Sequence, residues 1–160
     1  MCGFVGFFND HNLSIESFKK TINTLEHRGP DDSGNWADLD KKLFLGHRRL
    51  SVLDTSKSGS QPMQSSNKRY VIVYNGEIYN HLEIREQIEK KSKDPIIWKS
   101  TSDTETLIES ISLFGIETTL DKISAVPSSF SLITAAAVSS QLVSIPKNVI
   151  FFVISIIVFK

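Results

Sequence analysis

The only cysteine of this 160-residue chain is Cys2, directly after Met1 in the segment "MCGFVGFF". A small second residue favours removal of the initiator methionine, after which Cys2 would carry a thiol and a free α-amine. An α-amine has a pKa of about 8, so near neutral pH it can accept the proton of its own thiol. The pattern therefore predicts a self-contained nucleophile. An inert thiol in an apolar stretch is the alternative.

Three other segments carry complementary chemistry. In "YNGEIYN", the Asn75 amide and the Gly76 N–H could form an oxyanion hole, or the pair could simply make a tight turn. In "HRRLSVLD", Arg49 could bind a carboxylate, or the two arginines could be solvated. Asp103 in "SDTE" could hold an ammonium group, or only cap a helix. Together with Cys2, these groups could hold an α-amino acid and attack its side-chain amide.

Other classes of site are disfavoured. The net charge is zero, so no basic excess indicates nucleic acid. One cysteine excludes an internal disulfide framework and a multi-cysteine metal site. The histidines form no ligand pair of the HExxH kind, and His27, His47 and His81 stand in polar, turn-like contexts. We therefore expect no metal centre.

The elements that would position these residues alternate irregularly. Strands are predicted in "FVGFF", "KLFLG" and "RYVIVYN", with a short one in "PIIWKS", whereas "EHRGPDDSGNW" is predicted to be a loop. Ser14 should cap a helix whose apolar face is Ile15, Phe18, Ile22 and Leu25. "HLEIREQIEKK" should be helical, and a capping box from Ser102 to Glu105 should begin another helix that ends at Gly115. The irregular order favours antiparallel sheets and an α+β fold.

The composition changes abruptly near residue 123. All 18 acidic residues lie at or before Asp121, and the chain ends in the apolar run Val149 to Phe159. That run is about half of the ~20 residues that a membrane helix needs. Its Val, Ile and Phe content predicts a buried or aggregation-prone strand instead.

Six segments, taken together, resemble a known family. "MCGFVGFF", "LEHRGPDDSG", "GHRRLSVLD", "QPM", "YNGEIYN" and "SDTETLIE" occur in the order and spacing of class II, N-terminal-nucleophile glutamine amidotransferase domains. Within that class, the chain is most similar to glutamine-hydrolysing asparagine synthetases, over about residues 1–123. The resemblance implies a four-layer αββα sandwich of two antiparallel sheets, of the Ntn-hydrolase type, incomplete at its C-terminal end.

The resemblance also implies roles for individual residues. Cys2 would be the nucleophile, and Asn75 and Gly76 would form the oxyanion hole. A glutamyl thioester would then be hydrolysed by water, releasing glutamate and ammonia.

The remaining residues implied by the resemblance would hold the substrate. Arg49 would bind the α-carboxylate of glutamine, and Glu77 and Asp103 would bind its α-amine. Leu53 would line the pocket.

The wider context is likewise expected from the family. The amidotransferase domain would need no cofactor, and ATP and Mg²⁺ would belong to a synthetase domain acting in cis, which is expected to be absent here. We expect a domain at 1–123, with Met1 removed, and an aberrant tail at 124–160 that a shifted reading frame would explain. A cytoplasmic location, no membrane association and a homodimer of the full-length protein are also expected. Alternatives are the amidation of another carboxylate, or a catalytically silent remnant or interaction module.

Overall fold

The computed structural model describes residues 2–8, 12–51, 56–124 and 150–155. Six strands and four helices alternate irregularly along this part of the chain. In order they are β1 (Gly3–Phe8), α1 (Ile15–Thr24), β2 (Asp32–Asp38), β3 (Leu43–Arg49), β4 (Met63–Gln64), β5 (Tyr70–Asn75), α2 (His81–Lys91), α3 (Asp103–Phe114), α4 (Ile116–Ser124) and β6 (Ile150–Ser155).

The first sheet is antiparallel throughout, in the order β1-β3-β2. Gly3 lies opposite Arg48, and Asp32 lies opposite Arg49. The central strand β3 is buried along its whole length, because strands flank both of its edges and other layers cover both of its faces. Its C-terminal end therefore lies beside the first residues of β1 and β2.

The second sheet has the order β4-β5-β6. β4 is antiparallel to β5, whereas β6 is parallel to it, with Tyr70 opposite Ile150 and Asn75 opposite Ser155. A parallel neighbour needs a long crossover connection, which the helices between residues 75 and 150 provide. The strand predicted in the apolar tail is thus found, and it lies beside the strand that carries Asn75.

The two sheets face each other across an apolar layer. Leu43 and Leu45 of β3 pack with Val71 and Val73 of β5. Along each strand the alternate residues point the other way, as the period of two in a β-strand requires. Phe44 thus packs on α1, and Ile72 packs beneath the other helices.

Helices cover the outer face of each sheet. α1 packs on the first sheet through Phe18 and Ile22, with the Phe18 and Phe44 ring centroids 5.4 Å apart. α2 and α3 pack on the second sheet, and their buried apolar residues are Ile84, Ile88, Leu107, Ile108 and Ile111. These layers confirm the predicted α+β class and the αββα order.

The predicted cap of α3 forms only in part. The Ser102 hydroxyl accepts a hydrogen bond from the Thr104 N–H at 3.1 Å, as an N-cap should. Glu105 does not complete a capping box, however, because its carboxylate accepts the N–H groups of Lys99 and Ser100 at 2.9 and 2.8 Å. Gly115 ends the helix with a φ of +84°, a conformation that favours glycine.

Three local predictions are wrong. "PIIWKS" forms no strand. Ile96 and Trp98 pack against the apolar core between the second sheet and its helices, whereas Ile97 is exposed, and Glu105 binds the backbone of the last two residues of the segment. The predicted loop "EHRGPDDSGNW" contains most of β2, because pairing with β3 outweighs its turn-forming composition. Ile15 stays exposed at the start of α1. Among the described residues, no helix combines the length and the apolar character needed to cross a bilayer.

Candidate active site

Cys2 lies at the end of the first sheet where β1 begins and β3 ends. It precedes β1, and the pairing of Gly3 with Arg48 places it beside the C-terminal end of β3. The Leu50 N–H donates a hydrogen bond to the Cys2 Sγ at 3.3 Å, and the thiol reaches the Leu50 carbonyl at 3.6 Å. The side chain is half-buried. An N–H group aimed at sulfur is a suitable partner for a thiolate, and the half-open position leaves room for a substrate.

The two adjacent arginines of β3, Arg48 and Arg49, have different hydrogen-bond partners. The Arg48 Nε donates to the Gly29 carbonyl at 3.1 Å, and its guanidinium pairs with Glu26 at 3.2 Å. Arg49 is buried, and its Nη1 donates to the Ser56 carbonyl at 2.7 Å. Its guanidinium lies so close to Gly59 that a Cβ there would be 2.3 Å from Nη2. Arg48 therefore fixes the first turn after α1, and the segment around Ser56 and Gly59 holds the Arg49 guanidinium at the end of β3.

The segment "RGPDDSG" supports this end of β3. The Asp31 carboxylate accepts the Ser51 N–H at 2.7 Å, and the Asp31 N–H donates to the Arg49 carbonyl at 3.0 Å. The Ser60 hydroxyl donates to the Asp32 carboxylate at 2.5 Å. These contacts fix the chain as it leaves β3. The local composition predicts only a loop here, because it does not identify hydrogen-bond partners about 20 to 30 residues away.

The second group of site residues follows β5. Asn75 is the last residue of that strand and is half-buried, and Gly76 and Glu77 are exposed. The Ile78 N–H then donates to the Asp103 carboxylate at 2.9 Å. The turn after β5 is thereby tied to the first residue of α3, which brings the predicted oxyanion hole and the predicted amine site together.

Asp103 is a buried carboxylate at this end of the molecule. It is only 6% exposed. Burial raises the pKa of the Asp103 carboxyl, and the nearby Glu77 carboxylate adds to the rise, whereas the N–H groups of Ile78 and Thr104 and the charge of His81 oppose it. Two carboxylates that repel each other form a site that a cationic group would relieve. This is the environment that an α-ammonium group would favour.

Tyr74 adds a neutral hydroxyl to the same region. Burial raises the pKa of its phenol, and the charges of Asp103 and Glu77 raise it further. The hydroxyl therefore stays protonated under ordinary conditions. It has no hydrogen-bond partner within the part of the chain that the structure describes.

His47 connects the two groups across the sandwich. It is 1% exposed in β3, so the predicted polar, turn-like context is wrong; central strand pairing buries it. Burial lowers the pKa of His47 to about 4, the charge of Arg49 adds to that effect, and the Tyr74 backbone opposes it. A neutral imidazole thus lies near both Arg49 and Tyr74. The ends of β3 and β5 therefore lie at the same end of the molecule.

The structure thus brings most of the predicted site residues to one end of the sandwich. Cys2 and Arg49 lie on the first sheet, and Asn75, Gly76, Glu77 and Asp103 lie on the second sheet and α3. Leu53 lies outside the described residues. In the described ranges, no three His, Cys, Asp or Glu side chains cluster as a metal site would require.

Comparisons with known proteins identify similar sequences. A family model described as a glutamine amidotransferase domain matches residues 1–134, which extends past the predicted boundary at 123. Asparagine synthetase [glutamine-hydrolyzing] 1 of Bacillus subtilis (strain 168) is 41% identical over 113 residues, covering 68% of this chain and 17% of that protein. Asparagine synthetase [glutamine-hydrolyzing] 1 of Arabidopsis thaliana is 33% identical over 123 residues, covering 73% of this chain and 19% of the Arabidopsis protein.

Asparagine synthetase B [glutamine-hydrolyzing] of Escherichia coli (strain K12) is 39% identical over 88 residues, covering 53% of this chain and 15% of that protein. The chain therefore spans less than a fifth of the length of these curated relatives. Because the family model covers most of its residues, the chain belongs to the glutamine amidotransferase domain family.

Proposed function

We propose that this chain hydrolyses the side-chain amide of glutamine, and that the ammonia serves asparagine synthesis by a synthetase domain. The observation that carries the proposal is the placement of Cys2. Its sulfur accepts the N–H of Leu50, the residue after the buried Arg49, at the same end of the sandwich as the carboxylates of Glu77 and Asp103. A nucleophile, a cation and a pair of anions at one end could hold and attack an α-amino acid.

The proposed reaction begins at Cys2 after removal of Met1. The free α-amine takes the thiol proton, and the thiolate forms a bond with the amide carbon of glutamine. The negative charge on the carbonyl oxygen is stabilised by the Asn75 amide and the Gly76 N–H. The carbon–nitrogen bond then breaks, and the protonated α-amine returns its proton to the leaving ammonia.

Water completes the cycle. The α-amine removes a proton from the water, whose oxygen attacks the glutamyl thioester. Glutamate leaves and the thiol is restored. Arg49 and the Glu77–Asp103 pair would hold the α-carboxylate and the α-ammonium groups through both steps.

Glutamate release by the purified chain, with Cys2→Ala and Cys2→Ser as variants, tests this proposal. Intact mass should show that Met1 has been removed. The parent should then release equal amounts of glutamate and ammonia. Cys2→Ala should lose essentially all of this activity while keeping the parent's circular dichroism. Cys2→Ser should lose most of it, because a hydroxyl is a much weaker nucleophile than a thiol at this pH.

Two results would contradict the mechanism. Glutamate release that persists in Cys2→Ala would remove Cys2 from the reaction. Full activity in a sample whose mass still includes Met1 would exclude the α-amine as the base.

A further inference from the structure

Gln61, in the segment "QPM", makes side-chain hydrogen bonds that have no part in the proposed reaction steps. Gln61 lies two residues before β4, the strand that pairs with Ile72 and Val71 of β5. Beyond that pairing, the Gln61 Oε1 accepts the N–H of Tyr74 at 2.6 Å. Tyr74 immediately precedes Asn75. The buried carboxamide therefore satisfies the backbone at the strand end that carries the oxyanion hole.

The other end of the same carboxamide reaches α3. The Gln61 Nε2 donates to the Thr104 hydroxyl at 3.3 Å, and that hydroxyl lies 3.4 Å from the Asp103 Oδ1, to which it donates. Both Gln61 and Thr104 are buried. One side chain thus links the backbone before Asn75 to the carboxylate of Asp103.

The backbone of Gln61 is fixed as well. A Cβ at Gly34 of β2 would be 1.9 Å from the Gln61 carbonyl oxygen, so the two chains touch at a separation that only glycine permits. Gln61 therefore contacts the first sheet through its backbone, and the second sheet and α3 through its side chain. A residue held on three sides has little freedom to move with any one of them.

We propose that Gln61 is a positioning residue that fixes the distance between the oxyanion hole and the amine-binding carboxylate. The inference rests on the proposed function, in which one glutamine molecule spans these two points. Its amide carbon must lie at Asn75 and Gly76 while its α-ammonium group lies at Asp103. Without the Gln61 carboxamide, the hydrogen bond from the Ile78 N–H to Asp103 still joins the two points, but the strand end before Asn75 loses its own link to α3, although neither group that touches the substrate is changed.

Two variants separate the ends of the carboxamide. Gln61→Met keeps the length of the side chain and removes both hydrogen bonds. We expect its kcat for glutamine to fall by about 10- to 100-fold and its KM to rise, because small displacements at a reacting centre carry penalties of that size. Thr104→Val keeps the bond to Tyr74 and removes the Gln61 bond at α3, together with the contact of the Thr104 hydroxyl with Asp103. We expect its KM to rise several-fold with kcat close to that of the parent.

Ser110→Ala is the matched control for stability. The Ser110 hydroxyl makes a buried 2.9 Å hydrogen bond with Thr119, also within the helical layer but away from the site. We expect this variant to unfold more easily and to keep the parent's kcat and KM. The inference is wrong if Gln61→Met retains both parental constants. It is equally wrong if Ser110→Ala, at a comparable loss of stability, shows the same fall in kcat.

Hydrogen exchange keeps this test separate from the test of the reaction. If the parent shows no Cys2-dependent glutamate release, the proposed function fails, and the exchange of the Tyr74 amide then decides the role of Gln61. We expect that amide to exchange at least 10-fold faster in Gln61→Met, with the amides in the middle of α1 unchanged. Unchanged exchange at Tyr74 would overturn the inference. If Gln61→Met does not fold, Thr104→Val is the deciding variant. A several-fold rise in its KM with a near-parental kcat supports the inference, and a parental KM overturns it.

Discussion

At the scale of single residues, the site depends on charges held in unfavourable surroundings. Asp103 is buried, and Glu77 repels it, so its pKa is raised. The folded protein thus binds a proton at Asp103 more tightly than the unfolded chain does. The contribution of this residue to stability is greatest at low pH and is lost as the pH rises through the raised pKa. We infer that the site gives up some stability to keep an anion available for the substrate.

Asp103→Asn tests whether the Asp103 charge lowers the stability of the protein while it favours substrate binding. The amide oxygen can still accept the Ile78 N–H, so we expect the thermal midpoint at pH 7 to rise above that of the parent. The difference should shrink as the pH falls through the raised pKa of Asp103. The KM for glutamine at pH 7 should rise by about 30-fold or more, as expected for loss of a buried charge from a charge pair.

The parent should also show this charge in its pH profile. Its kcat/KM should fall with decreasing pH at a higher pH than an ordinary aspartate would give. The matched control is Asp121→Asn, an exposed carboxylate on α4, which should leave the thermal midpoint and the KM unchanged. A parental KM in Asp103→Asn would show that this carboxylate does not bind the α-amine.

At the scale of elements, each helix is fixed to its sheet at a few close approaches. α1 crosses β3 at Gly46, where an added Cβ would be 2.4 Å from the Ile22 Cγ1 and 3.1 Å from the Phe18 Cζ. The absence of a side chain at Gly46 therefore lets α1 approach the sheet directly. The neighbouring residue of β3 is His47, so the packing of α1 also supports the strand that carries Arg49.

Gly46→Ala should overpack this contact and destabilise the protein by about 1–3 kcal/mol. Ile22→Ala should cost about 2–5 kcal/mol through the cavity that it leaves. The double variant should lose less than the sum, by about 0.5–3 kcal/mol, because the new methyl group occupies space that Ile22 vacates. Urea unfolding of the four proteins measures these terms. Strict additivity would show that the two residues do not compete for the same space.

At the scale of the whole molecule, the strand that ends in Asn75 depends on a distant segment of the chain. β5 is the central strand of its sheet, with β4 on one edge and β6 on the other. β4 pairs with only two residues of β5, whereas β6 pairs along all six. Without β6, one whole edge of β5 would lose its hydrogen-bonding partner, and an uncovered apolar edge promotes association.

Deletion of residues 125–160 tests this dependence. We expect the amides of Tyr70–Asn75 to exchange faster, those of α1 to remain protected, and the shortened chain to self-associate in sedimentation velocity. A second variant, with residues 150–155 replaced by a Gly-Ser segment of equal length, should behave in the same way, because it removes the strand but keeps the connection. Unchanged protection of β5 together with a monomeric shortened chain would show that β6 does not support that strand.

Features that depend on neighbouring residues were predictable from the sequence. Ser14 and Ser102 cap helices through their nearest N–H groups, as predicted, and the run in "RYVIVYN" forms the predicted strand β5. The removal of Met1, which would give Cys2 a free α-amine, stays a prediction. The six ordered segments added the family, which the comparisons confirm. The catalytic and binding roles remain predictions, because they depend on a substrate.

The contacts between segments far apart in the chain follow only from the packing of the folded protein. The local sequence predicts a polar, turn-like context for His47 and no individual contact for Gln61. In the structure His47 is buried between the sheets, and Gln61 links Tyr74 to Thr104. Asp31 and Glu105 likewise bind backbone groups that no local pattern identifies. The physical reason is that propensity and periodicity act over a few residues. Burial and hydrogen-bond partnership are instead settled when whole layers pack, and those layers place the Cys2 sulfur and the Asp103 carboxylate at one end of the molecule.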